Sequence, residues 1–310
     1  MLRFRADRRT IATLLLHSAS TGLLWWASPS TVWALVPAVV WLSALSWVCA
    51  IIAHNVVHTP VFHSRPLNAA LQVWVSLSYG FPISDYVPGH NLSHHRYTQQ
   101  AEDVMRTTRV RFRWNLLNLL AFLPAVTPGI VRGNALYLRR VGWRVRAWRR
   151  QLVLELIVVW SVKLALTLLD WRKAVLFVWI PHLVANWGIV TVNLVQHDGC
   201  DETHPVNHSR NFVGRFFNWA TFNNGYHGAH HLMPGLHWSL LPAFHAEHVK
   251  PTLHPALDQP SLARYVFRTF VWPGRRLTFD GRPVEPVDLP DRDWVRGDDD
   301  RLPPDGVVPA

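Results

Sequence analysis

Nine histidines in this 310-residue chain stand at spacings that suit metal ligation. Three boxes hold eight of them: His54 and His58; His90 with the adjacent pair His94 and His95; and His227 with the adjacent pair His230 and His231. The ninth, His197, follows Asn193 by four residues. Residues four apart on a helix share a face, so His54/His58 and Asn193/His197 each aim two side chains at one point. An adjacent pair cannot share a face in this way, but it can reach two metals on either side of its helix. Imidazole is the commonest neutral metal ligand, and a mononuclear site takes three or four of them, so nine suit two ions. Zinc protease chemistry needs a glutamate inside the first box as general base, and Asn55 stands there instead. An all-imidazole set with open positions beside a membrane suits iron that activates dioxygen.

Apolar segments must position these boxes. Seventeen tryptophans and a slightly positive mean hydropathy argue against a soluble protein, because tryptophan favours the headgroup level of a bilayer. Four stretches are long enough to span: 11–27, 31–52, 152–169 and 174–196. Short polar turns join the first two and the last two, so each pair forms a helical hairpin. Two further apolar runs, 67–84 and 115–131, are interrupted by Pro82, Pro124 and Pro128 and are expected to lie in the interface. The fold class is therefore all-α: four transmembrane helices in two hairpins, interfacial helices, and a cytoplasmic helical cap carrying the histidines. One domain is expected over 1–278, followed by a flexible tail over 279–310 that is rich in Pro, Asp and Arg. The first span is expected to be retained as a membrane helix rather than cleaved.

Net charge is +11 and almost wholly arginine. Arg3, Arg5, Arg8 and Arg9 precede the first span, and Arg132, Arg139, Arg140, Arg144, Arg146, Arg149 and Arg150 precede the third. The hairpin turns carry only Arg172 and Lys173. The positive-inside rule then puts both termini, the middle segment and all nine histidines on the cytoplasmic side of a multi-pass inner membrane protein. Nucleic-acid binding is a poor reading of the same charge, given the adjoining spans. Cys49 and Cys200 form no CxxC pair, which excludes a disulfide framework or a thiolate metal site. Asp103, Asp198 and Asp201 are the nearest carboxylates and could partner ligating imidazoles, as could His204 and His237. His17 and His182 lie within spans, far from the boxes, with structural roles. Glu155 and Lys163 are each expected to snorkel from a span toward its end.

The boxes, with Gly89 before the second, Arg96-Tyr97-Thr98 after it, and Asn223-Asn224-Gly225-Tyr226 before the third, resemble the membrane fatty acid desaturase and hydroxylase superfamily. The likeness runs from about His54 to His245. It implies two non-haem irons held by His54, His58, His90, His94, His95, His197, His227, His230 and His231, with Asn193 reaching iron through water, and O2 as co-substrate. The second box has three residues between its first histidine and the pair, where many acyl desaturases have two; the longer spacing is also familiar in alkane hydroxylases. The implied activity is desaturation of a fatty acyl chain carried on a lipid, CoA or a carrier protein, with hydroxylation or alkene-forming decarboxylation as alternatives. Without a haem or iron–sulfur module in the chain, electrons must come from a separate donor such as ferredoxin and its reductase. Trp187, Trp219 and Phe222 are expected to line an acyl tunnel. The contrasting class is a non-catalytic membrane metal carrier, which would need polar groups deep within its spans.

Overall fold

The computed structural model describes residues 1–285, 287, 289–297 and 300, and they are mostly helical. The long helices are α1 (Arg8–Ala27), α2 (Val32–Val56), α3 (Arg65–Tyr79), α4 (Asn115–Arg140), α5 (Arg146–Leu169) and α6 (Trp171–His197). A short helix, α7 (His227–Leu232), carries the third box. The strands β1 (Asn211–Phe212) and β2 (Asp258–Gln259) form one parallel two-residue pair.

Among the described residues, four helices are long and apolar enough to cross a membrane: α2, α4, α5 and α6. At 1.5 Å per residue the 25 residues of α2 reach about 37 Å, beyond the ~30 Å of a hydrocarbon core. Two elements differ from the sequence expectation. Helix α1 forms over 20 residues but falls outside these four. Helix α4 runs unbroken through Pro124 and Pro128, which predict an interruption. Between the prolines, Thr127 Oγ1 donates back to the Leu123 carbonyl at 2.7 Å, a bond that commonly accompanies a bent helix.

The chain divides into two compact units. The first joins Met1–Tyr86 with Gly142–Ile189. In it α2 packs on α1 and α3, and α3 packs on α5. The outer faces of these helices carry exposed Leu23, Trp33, Val36, Val40, Ile157 and Leu164, as lipid-facing surface would. Close approach is set by small residues: a Cβ on Gly188 would lie 2.6 Å from the Trp47 ring. Gly80 ends α3 at φ +96°, and a Cβ there would strike the His182 ring at 2.1 Å, so both backbone and space demand glycine.

Glu155 and Lys163 do not snorkel. Their exposures are 0% and 2%, because both side chains turn inward. The Glu155 carboxylate accepts from Ser84 N (2.9 Å), Ser84 Oγ (2.9 Å) and Gln151 Nε2 (2.8 Å). Lys163 Nζ sits over the rings of Phe81, Trp160 and Trp179 at 4.5 to 5.0 Å. Glu155→Ala would strip the Ser84 N–H and hydroxyl of their acceptor, at about 1–3 kcal/mol for each group left unmatched. A clear fall in the thermal midpoint in detergent is expected, and smaller for Glu155→Gln; an unchanged midpoint would show the buried carboxylate to be dispensable.

The second unit joins Val87–Val141 with Val190–Arg301. Here α4 packs on the turn Pro88–His94 and on Phe267–Val271. The tail makes side-chain contacts where it is described. Trp294 stacks on Tyr137 at 5.9 Å and is buried beside Gly133. Asp291 pairs with Arg106 and Arg109 at 2.6 and 2.9 Å, and Asp293 with Arg132 at 3.0 Å. Residues 286, 288, 298–299 and 301–310 of the expected tail lie outside the described residues.

Candidate metal centre

The second box forms on an irregular helix. Pro88–His94 is a π-helical turn, continued by one α-helical turn, His95–Tyr97. The His95 N–H bonds the His90 carbonyl five residues back. Such turns carry one extra residue and occur often at functional sites. The wider turn brings His95 Nε2 within 3.1 Å of His90 Nε2, while His94 points elsewhere.

The third box sits on α7, which is held by amides around it. Asn211 Oδ1 accepts from Gly228 N (2.8 Å), Asn218 Oδ1 from Gly225 N (3.1 Å), and Gln196 Nε2 donates to the Asn224 carbonyl (3.1 Å). His230 Nε2 then lies 3.1 Å from His95 Nε2, and His227 Nε2 lies 2.8 Å from His197 Nε2. His197 ends α6, and its ring is turned by an Nδ1 contact of 3.0 Å to the His208 carbonyl.

Within this unit two clusters result. His90, His95 and His230 form one; His94, His197, His227 and His231 form the other, with donor atoms within 4.8 Å of one another. Both adjacent pairs are therefore split, one histidine to each cluster, as their sequence spacing suggests. The clusters touch: the His95 and His231 rings stack at 4.4 Å. In the first unit His54 and His58 are both buried, and their rings meet edge-on at 5.3 Å at the end of α2.

The donor set fits metal ions. His94 Nε2 and His231 Nε2 are buried without a hydrogen-bond partner in the protein. Such orphaned atoms are costly unless something else meets them. Bonds of ~2.0–2.1 Å at right angles would place neighbouring donors about 3 Å apart, and the closest ring nitrogens here are separated by 2.8 to 3.1 Å. Burial, and then the neighbouring rings of His95, His227, His197 and His94, hold the His231 imidazole well below its usual pKa. It is thus kept in the neutral, metal-binding form.

Of the expected carboxylate partners, Asp103 is placed as one. Its fully buried Oδ2 meets His94 Nδ1 at 2.9 Å and accepts from Gln99 N at 2.8 Å, while Oδ1 accepts from Met105 N at 2.7 Å. Asp198 instead takes two bonds from Arg276, and Asp201 caps the turn at Thr203. His204 Nδ1 accepts from Val206 N and Asn207 N, and His237 Nδ1 contacts Ser239, so neither contact orients a ligating ring. Asn193 is buried one turn before His197, its amide donating to the Met105 carbonyl at 2.8 Å. Trp219, at 64% exposed, does not wall an enclosed tunnel, whereas Phe222 is buried against Trp238. His17 contacts Ser46 Oγ at 3.0 Å and stacks on His182 at 6.5 Å, and neither belongs to a histidine cluster. The His208 carbonyl turns the His197 ring, and a main-chain acceptor leaves no residue-type signal in the sequence.

The sequence model for fatty acid desaturases matches residues 30–259, which takes in every box and the helices that bear them. The chain belongs to the fatty acid desaturase family. With its apolar helices, this makes it a membrane protein whose clustered histidines suit metal binding and whose chemistry concerns lipid or acyl chains, as in that family. No curated protein matches the chain.

Proposed function

We propose that the protein is an oxygen-dependent acyl-chain desaturase, in which His54, His58, His90, His94, His95, His197, His227, His230 and His231 hold two irons and Asn193 reaches one of them through water. The observation that carries this reading is the split of both adjacent histidine pairs between touching clusters, which suits two metals close together. Irons bound there would supply activation of O2 and the oxidation of an unactivated methylene pair. Asp103 fixes the His94 ring, the His208 carbonyl fixes that of His197, and burial keeps His231 unprotonated. Taking two hydrogens from the chain supplies two of the four electrons that carry O2 to two waters. The other two must come from a separate donor such as ferredoxin and its reductase.

The arginine distribution supports a cytoplasmic cap, with both termini and the histidines on the cytoplasmic side. A metal carrier is less well supported: the deep polar groups Glu155 and Lys163 are engaged by Ser84, Gln151 and aromatic rings. Gas chromatography with mass spectrometry of lipids from cells co-expressing the chain with a ferredoxin system tests the reading. New double bonds are expected with the wild type and none with His230→Ala. Oxygenated or shortened products without a new double bond would assign hydroxylation or decarboxylation instead.

A further inference from the structure

A cavity of about 610 Å³ lies in the second unit, and none of the clustered histidines lines it. Its lining includes Arg210, Arg264, Arg268 and Arg275, together with Tyr265 and Thr269, and no acidic residue. Arg210 is 2% exposed and is held rather than loose. Its guanidinium donates to the Val195 and Asp198 carbonyls, each at 2.9 Å, and lies 4.3 Å over the Tyr265 ring. Its Nε has no hydrogen-bond partner in the protein. A buried cation that lines a cavity and pairs with no carboxylate among the described residues calls for an anion there.

The other three arginines strengthen this. Arg264 and Arg268 stand four residues apart on consecutive helical turns, Leu262–Val266 and Phe267–Val271. Like charges at that spacing repel unless an anion lies between them. Gly274, at φ +68°, donates to the Arg268 carbonyl at 3.1 Å and turns the chain back, so that Arg275 lines the same cavity. Among the described residues none of these three meets a carboxylate. Asp198 is occupied by Arg276, and Asp280 by Arg282 at 2.7 Å. Burial raises the Tyr265 hydroxyl to about 12 despite the neighbouring Arg210, so it stays an uncharged donor.

We propose that this cavity binds a phosphate-bearing anion. Guanidinium forks match phosphate oxygens bidentately, and four of them facing one cavity exceed what a single carboxylate needs. The volume falls in the range of pockets that enclose organic ligands, so the phosphate is part of a larger group. The chemistry fits an anionic lipid headgroup or a soluble phosphorylated compound equally, and the test separates them.

Isothermal titration calorimetry on the full-length, metal-loaded protein in uncharged detergent would use glycerol 3-phosphate and pyrophosphate as soluble probes. Short-chain phosphatidylglycerol would be the lipid probe. Saturable binding of at least one probe is expected. It should weaken at least tenfold in Arg264→Ala/Arg268→Ala and stay unchanged in Arg139→Ala/Arg140→Ala, which lies outside the cavity. Binding of the lipid alone assigns a headgroup site; binding of the soluble probes alone assigns a soluble ligand. Arg268→Gln alone, with its metal content and melting temperature checked, guards against a folding defect in the double variant. If no probe binds, or if the cavity variants bind as tightly as wild type, the proposal fails. Binding is read without turnover, so such a failure leaves the desaturase reading standing.

Discussion

His231→Ala should lower the metal content of the purified protein from two ions per chain toward one and abolish turnover. Three observations set the size of this effect. The ring stands in a cluster of four imidazoles whose donors lie within 4.8 Å of one another. It also stacks on His95 of the neighbouring cluster at 4.4 Å, so its loss disturbs both. Its Nε2 has no partner within the protein, and burial holds it neutral, so its fixed position serves no other contact at that atom. Losing a direct donor should cost more than the ~10–100-fold in affinity typical of losing an outer partner. Metal analysis alongside product assay checks this. Full metal content with normal turnover would remove His231 from the ligand set.

Asp103→Asn should weaken metal binding by roughly 10–100-fold while the chain still folds. The carboxylate accepts three bonds in a site sealed from solvent: from His94, Gln99 N and Met105 N. Asparagine offers one oxygen and turns an N–H₂ toward donors, so at least one bond becomes a clash of donors. That adds about 1–3 kcal/mol of instability. The informative signature is rescue. Activity lost at limiting iron should return with excess iron, because the ring of His94 remains present but poorly held. A variant that never recovers, with a normal melting curve, would show Asp103 to act on something other than ligand orientation. Competition with a chelator of known affinity gives the binding change directly.

The clustering of the histidines is legible in the sequence because the spacing within each box is local. His54/His58 and Asn193/His197 require only a helix, and the adjacent pairs announce two sites by their spacing alone. Other features are illegible for identifiable reasons. A π turn and an α turn use the same residue types, so nothing in Pro88–His94 signals which one forms. Prolines in 115–131 suggest a break, yet packing of α4 against Pro88–His94 and Phe267–Val271 keeps one helix intact. Charge inside an apolar span suggests snorkelling. The partners that keep Glu155 inside include Ser84, more than seventy residues away in the chain, and such distant matches cannot be read from a window. The tail's composition suggests disorder, but its aspartates meet Arg106, Arg109 and Arg132. Of these, Arg132 counts toward membrane orientation by its place in the sequence, and nothing local marks any of the three as a partner for the tail.

The wide turn at Pro88–His94 makes the second box sensitive to length as well as to composition. Shortening it by one residue between His90 and His94, with the wide turn kept, would take His95 out of the five-residue step that sets it beside His90. His94 and His95 would then face different neighbours, with every histidine still present. The allocation of rings to two clusters is thus written in a register, and point substitutions alone would never reveal it.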